Sequence, residues 1–298
     1  MVWVNTILQG VLLGGLYALL ACGLSLMFGV MRIINLAHGD LVVLGAYLIW
    51  TIVQHTAMSP FLAALLVLPL MLVLGYALHV LLLERSQRAG PLVPLLTTFG
   101  LAIVIQNMLL QVFSPDVQSL GGSVGDLATA SWQITDQLSI PALGVLTLVV
   151  AIATLGALQL LLSRTRLGRE MRATAQDPDT AQLVGINARD VYARATAVAI
   201  VTAALAGLFL AIRSTIDPSA GPTQLIFAFE AVVIGGFGSL WGTLVGGVVL
   251  GVSQAIGEQI NPQYSVLAGH LVFLAVLAAR GGGLLSLPVR RGLRGARA

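Results

Sequence analysis

Long apolar runs joined by short charged links make up most of the chain. Residues 1–31, 41–83, 89–115, 137–163, 195–212, 231–257 and 259–279 carry no charge. About 20 apolar residues cross a bilayer as helix, so each run reads as one span, and 41–83 as two with Ser59-Pro60 as the break. Alternating ten-residue strands, the mark of a membrane barrel, are missing. The expectation is an all-α polytopic membrane protein of eight or nine transmembrane helices, with broken or half-helices, forming one membrane domain over 1–298. The expected spans are about 5–30, 40–57, 61–83, 92–113, 140–162, 189–212, 224–240, 242–258 and 264–280.

The pattern breaks in three places. Arg32 to Asp40 (RIINLAHGD) is polar and sits between the first two runs. Gly235, Gly236, Phe237, Gly238, Ser239, Leu240, Trp241 and Gly242 interrupt the apolar stretch 224–258. That stretch is either two crossings joined by a cytoplasmic turn or two half-helices meeting inside the membrane. Irregular backbone at membrane depth survives only where protein buries it or it lines a wet cavity, as in transporters with broken helices. The third break, Leu162 to Arg194, holds six arginines and four carboxylates in a chain that is only 9% charged, against about 25% for soluble proteins.

Within that insert, Asp177-Pro178 reads as an N-cap followed by proline at the first helical position, and Gly185 as the glycine that ends the helix. A short helix over 178–184 follows. Leu167 to Gln176 forms another, with Met171 and Ala175 on one face and Arg169 and Arg172 outward. Asn187 caps the next span, with Asp190 placed for a capping box. A capped insert of this length is either a plain connector or a docking surface, and its caps argue against disorder.

Charge then orients the chain. Every one of the 15 basic residues is arginine. They cluster in 163–194, in Glu84–Arg88 and in the tail (Arg280, Arg290, Arg291, Arg294, Arg297), which the positive-inside rule places in the cytoplasm. The loop 114–140, with Asp116, Asp126 and Asp136 and no arginine, is external. The N-terminus is therefore expected outside and the C-terminus in the cytoplasm. The first run has no basic n-region and is too long for a signal peptide, so it is expected to stay as a span. Sorted by membrane side, the arginines give no basic stripe, and no nucleic-acid partner is expected. Without lysine there is no Walker A loop, so ATP is not bound here by that route. The single Cys22 permits no internal disulfide.

Few residues carry candidate chemistry. Glu230 lies in an apolar run, where a carboxylate is costly and marks a pathway or an inter-subunit contact, or is protonated and bonded locally. Asn35, His38 and Asp40 stand together; Asp40 is placed to cap the second span, and His38 to line a route or brace the loop. The glycines at 235, 236 and 238, with Ser239, mean close helix packing or a hinge. His55, His79 and His270 are scattered, so no metal site is expected. No nucleophile set points to an enzyme.

Three ordered motifs carry a resemblance. Residues 168–186 read GR-x-x-RA-x-A-x-D-x-x-x-A-x-L-x-GI, 15–47 read GLYALLACGLSLMFGVMRIINLAHGDLVVLGAY, and 228–251 read AFEAVVIGGFGSLWGTLVGGVVLG. Together they resemble the branched-chain amino acid (Liv-type, LivH/LivM) permeases of ABC importers over nearly the whole chain, departing mainly in the loop 114–140 and in the glycine-rich tail. The resemblance implies a membrane subunit paired with a second permease chain. It also implies two ATPase subunits that hold the ATP and magnesium, and a periplasmic binding protein. Gly168, Arg169, Arg172, Ala173, Gln176, Asp177, Ala181, Leu183, Gly185 and Ile186 would then be the ATPase-coupling surface. Asn35, His38, Asp40, Glu230, Gly235, Gly236, Gly238 and Ser239 would belong to the translocation pathway. The alternative is an ion-coupled secondary transporter using Asp40, Glu230 and Glu258, which leaves the capped insert unexplained.

Overall fold

Two helices buried almost throughout, α1 (Val2–Met31) and α9 (Ala188–Arg213), form the centre on which the others are laid. The computed structural model describes residues 1–90, 92–135 and 138–280. Among them seven helical stretches are long and apolar enough to cross a membrane. These are α1, Pro60–Arg88, α5 (Val93–Phe113), α6 (Ala142–Arg164), α9, α11 (Leu240–Ile260) and Pro262–Ala279. The last contains most of α12 (Ser265–Arg280). Two further apolar helices complete the bundle, α2 (His38–Thr56) and the 15-residue α10 (Gly221–Gly235).

Glycine lets the central helices pack closely. Helices α1 and α11 run antiparallel, so close that a methyl added to Gly14 would lie 2.4 Å from Cα of Val248, and one on Gly10 2.5 Å from Cα of Val252. Only residues without a Cβ allow two backbones to approach so closely, and such faces hold helices together in lipid, where apolar burial drives little. Helix α9 does the same with alanine: Gly45 of α2 meets Ala204, and Gly75 meets Ala197.

The third span is not one regular helix. Helix α3 (Pro60–Leu78) passes through a π-turn, His79–Leu83, into α4 (Glu84–Arg88). There His79 Nδ1 bonds to Thr196 Oγ1 of α9 at 3.0 Å, and Glu84 faces Arg189 at 3.3 Å. The loop after α5 contains a small antiparallel hairpin, β1 (Ser131–Thr135) with β2 (Leu138–Pro141). Of the expected charges, Asp136, Arg290, Arg291, Arg294 and Arg297 lie outside the described residues.

The glycine run forms a short turn. Its non-helical part is only the turn 236–239, with φ of 95° at Gly236 and 76° at Gly238. Phe237 stacks on Phe28 at 4.3 Å between centroids and Gly238 abuts Gly29, so the turn lies at the C-terminal end of α1. A second interruption lies deeper within the bundle. After Arg32, which takes a left-handed φ of 56°, the chain doubles back along α1. Asn35 Nδ2 reaches Met27 Sδ at 3.8 Å, and His38 Nε2 reaches the Leu20 carbonyl at 2.8 Å. Helix α2 thus begins halfway along α1. Helix α10 begins beside it: a methyl on Gly39 would lie 1.9 Å from the Gly221 carbonyl oxygen.

Candidate functional site

The insert between α6 and α9 folds into two helices, α7 (Arg166–Gln176) and α8 (Pro178–Leu183), each capped by its own sequence. Thr165, a cap the sequence reading passed over, accepts a bond from the Gly168 N–H at 3.0 Å. Helix α7 is amphipathic: Gly168, Met171 and Thr174 are buried while Arg169 and Arg172 face out. Gly168 packs against the end of α6, where an added methyl would lie 2.1 Å from the Leu161 carbonyl oxygen.

Asp177 then turns the corner. Its Oδ1 accepts from the N–H groups of Asp179 and Thr180 at 3.0 and 3.1 Å, and the Thr180 hydroxyl donates to Oδ2 at 2.6 Å. The Thr180 hydroxyl and these amides hold the carboxyl below its ordinary pKa, because all of them favour the charged form. Helix α8 ends on Gly185 at φ 84°, where the Ile186 N–H bonds back to the Ala181 carbonyl at 3.1 Å. That six-residue return bond is the Schellman arrangement, which favours glycine at the left-handed position. Asn187 caps α9 by accepting from the Asp190 N–H at 3.5 Å. The reciprocal half of the box does not form, because Asp190 instead binds the Tyr76 hydroxyl at 3.1 Å and Arg194.

The ten residues read as coupling surface therefore divide. Gly168 and Ala181 are buried, and Ala173 and Ile186 are half-buried; they build the insert. Arg169, Arg172, Gln176, Asp177, Leu183 and Gly185 are exposed. At the tip Leu183 is 87% exposed and its neighbour Val184, absent from the sequence-level set, 73%. Two adjacent bare aliphatic side chains on a rigidly capped helix form an unpartnered apolar tip.

The residues read as pathway do not form one site: His38 meets α1 at Leu20 and the glycine turn meets it at Gly29, about 13 Å apart at 1.5 Å per residue, with Asn35 between them at Met27. Asn35, His38 and Asp40 are buried where α2 and α10 begin; Gly235, Gly236, Gly238 and Ser239 form the turn at the end of α1. Ser239 caps α11, accepting from the Gly242 N–H at 3.1 Å. Asp40 does not cap α2 as expected. Ala37 is the cap position, held by the Asn35 side chain, which accepts from the Ala37 N–H at 3.0 Å. Asp40 instead lies inside the first turn with its carboxyl against Gly221. Glu230 is buried and pairs with Nδ1 of His270 on α12. Beside it the Tyr17 hydroxyl donates to Gln254 Oε1, joining α1 to α11. His270, Tyr17 and Gln254 were missed because their partners lie far away in sequence.

Comparison with known proteins identifies the class. The model of the family described as "Branched-chain amino acid transport system / permease component" matches residues 6–277, and the chain belongs to that family. Its relatives include the high-affinity branched-chain amino acid transport system permease protein BraD of Pseudomonas aeruginosa, 28% identical over 96% of both chains. LivH of Escherichia coli, of the same description, is 27% identical over 94% of both. A probable branched-chain amino acid transport permease, LivH of Methanocaldococcus jannaschii, is 28% identical over 84% of this chain and 80% of its own. Among solved structures, PsaBC from Streptococcus pneumoniae in complex with Fab matches at a TM-score of 0.47 and 12% identity, covering 92% of this chain and 90% of that one. The chain is a multi-pass membrane permease and not an enzyme; the ion-coupled alternative gains no support from these relatives.

Proposed function

We propose that this chain is the membrane-crossing subunit of an ABC importer that brings branched-chain or other hydrophobic amino acids, or a related small polar solute such as urea or an amide, into the cytoplasm. ATP and magnesium are held by two separate ATPase subunits, a second homologous permease chain completes the pathway, and a periplasmic binding protein delivers the solute. The N-terminus lies in the periplasm and the C-terminus in the cytoplasm, following the arginines.

The observation that carries this reading is the α7–α8 insert. Its corners are fixed by Thr165, Asp177 and Gly185, and its tip presents Leu183 and Val184 with nothing over them. A rigid lever of this kind transmits a motion only as far as two states of the ATPase grip it differently. The names and descriptions of its relatives support the solute class. The test is uptake in proteoliposomes holding this chain, its partner permease and the ATPases, driven by ATP and loaded binding protein. ATP-dependent uptake that Leu183→Asp abolishes supports the reading. Uptake driven by an ion gradient without the ATPases overturns it.

A further inference from the structure

Only 22% of the most apolar stretch of α5 is buried, so most of this helix is open to lipid or to another chain. Its open face is unlike those of α3 and α6. The exposed side chains of α3 from Phe61 to Val73, and those of α6 from Val149 to Ala157, are all apolar. On α5 the exposed residues include Leu96, Gly100, Ile103, Asn107 and Gln111. Spaced by three and four positions, these five fall on one stripe along the helix.

Two amides on the stripe are the informative members. Asn107 Nδ2 donates to the Ile103 carbonyl of its own helix at 2.8 Å. Among the described residues its Oδ1 and the Gln111 amide bond to nothing. Asn107 stands about 9 Å inside the Phe113 end of α5, well within the span. Hydrocarbon tails offer an amide neither donor nor acceptor, and polar side chains at that depth find their partners in protein or water. Gly100, about two turns further along, has nothing within 4 Å of an added methyl. It leaves a notch that a second backbone can enter.

We propose that this stripe is where the second permease chain packs. The inference rests on the importer reading, which supplies that chain, and goes beyond it by naming the surface. Two homologous chains sharing one bilayer pair about an axis along its normal, so α5 meets its counterpart at equal depth. A side-chain amide fits that symmetry, because it is donor and acceptor at once and complements its own kind. Gly100 lets the two helices approach, while Asn107 and Gln111 bond across the contact, as small and amide residues do between helices in lipid.

The test places a photoreactive benzoylphenylalanine at Ile103 of α5, or at Leu66 of α3, in the assembled transporter in nanodiscs. Adducts are identified by mass spectrometry. Illumination at position 103 should join two permease chains through α5 and its counterpart, whereas position 66 should label lipid alone. Asn107→Leu, at an exposed position, should leave membrane insertion intact. It should raise dissociation of the permease pair about tenfold on dilution into lipid vesicles, the loss of one interhelical bond, read by energy transfer between labelled chains. Asn107→Gln, which keeps the amide, should restore pairing. Lipid adducts alone at position 103, adducts there to an ATPase or binding protein instead of a permease, or equal permease adducts at both positions overturn the proposal. So does a pair whose dissociation Asn107→Leu leaves unchanged. Pairing through α5 in a complex with no ATP-driven uptake would leave this interface standing and count against the importer reading. Uptake without a permease adduct at position 103 would do the reverse.

Discussion

Helices α1 and α9 are no more apolar to the eye than α5 and α6, yet they occupy opposite environments. In the most apolar stretch of each of the first two, 83% of residues are buried; in the second two, 22%. Hydrophobicity does not separate them, because lipid solvates leucine as well as a protein core does. Small residues do. Helix α1 brings Gly10 and Gly14 against α11, and α9 brings Ala197 and Ala204 against glycines of its neighbours. Glycines occur on α5 and α6 too, but Gly100 and Gly156 have nothing within 4 Å of an added methyl, and Gly144 meets the Leu12 and Pro141 side chains and no neighbouring backbone. In this bundle the centre is chosen by how closely backbones can approach.

The sharpest way to break that comparison is to put the same side chain at both kinds of site. Gly14→Leu forces α11 away and should cost about 1–3 kcal/mol or more, read as loss of monodisperse protein after extraction, whereas Gly156→Leu should leave the elution profile unchanged. If Gly14→Leu behaves like Gly156→Leu, close approach does not define the core. A second test concerns α12, whose apolar stretch is only 6% buried. The Glu230–His270 pair ties this peripheral helix to α10, so His270→Leu, which strands the buried Glu230, should lower stability by about 1–3 kcal/mol. A thermal shift no larger than that of Leu271→Ala on the exposed face would remove this role.

Outside the bilayer, function should respond more than stability. Gly185→Pro breaks the return bond at the end of α8, and Asp177→Arg removes its cap. Both should let ATP hydrolysis continue while uptake falls, with membrane insertion intact; normal uptake in both would sink the docking assignment. The smallest effect is a pH dependence of the Asp177 corner. Its carboxyl is lowered in the folded chain, first by the Thr180 hydroxyl, so the folded state releases this proton more readily than the unfolded state. The corner is therefore fully formed above the ordinary carboxylate range and is lost as pH falls through the lowered value. Amide exchange at Asp179 and Thr180 should accelerate there in the native chain and lose that dependence in Asp177→Asn.

How much of this was legible in the sequence depended on whether the determinants were local. Asp177-Pro178 and Gly185 carry their own geometry, so helix α8 could be read from a few adjacent letters. The apolar runs announced the spans for the same reason. The start of α2 was not legible: Asp40 has the right chemistry for a cap, but the doubling back of 32–37 along α1 moves the cap to Ala37 and turns Asp40 toward Gly221. The depth of the glycine turn was equally hidden, since it is set by Phe28 and Gly29, some 200 positions away in the chain. Glu230 stood out as an isolated charge, while its partner His270 had only its spacing from other histidines to be judged by. The π-turn left no mark, because HVLLL is as good an α-helix as any.

That π-turn works as a rotational index. A single residue added to a helical turn swings everything after it by about 100° around the axis. Glu84 is the first residue past the π-turn, and it meets Arg189 at the start of α9. Delete one residue from 79–83 and the carboxylate points to another quarter of the compass, unclasping the inner end of the third span from the helix that leads out of the insert. The bundle's inner rim is thus phased by one surplus amino acid, and deletions there should be far less tolerated than substitutions.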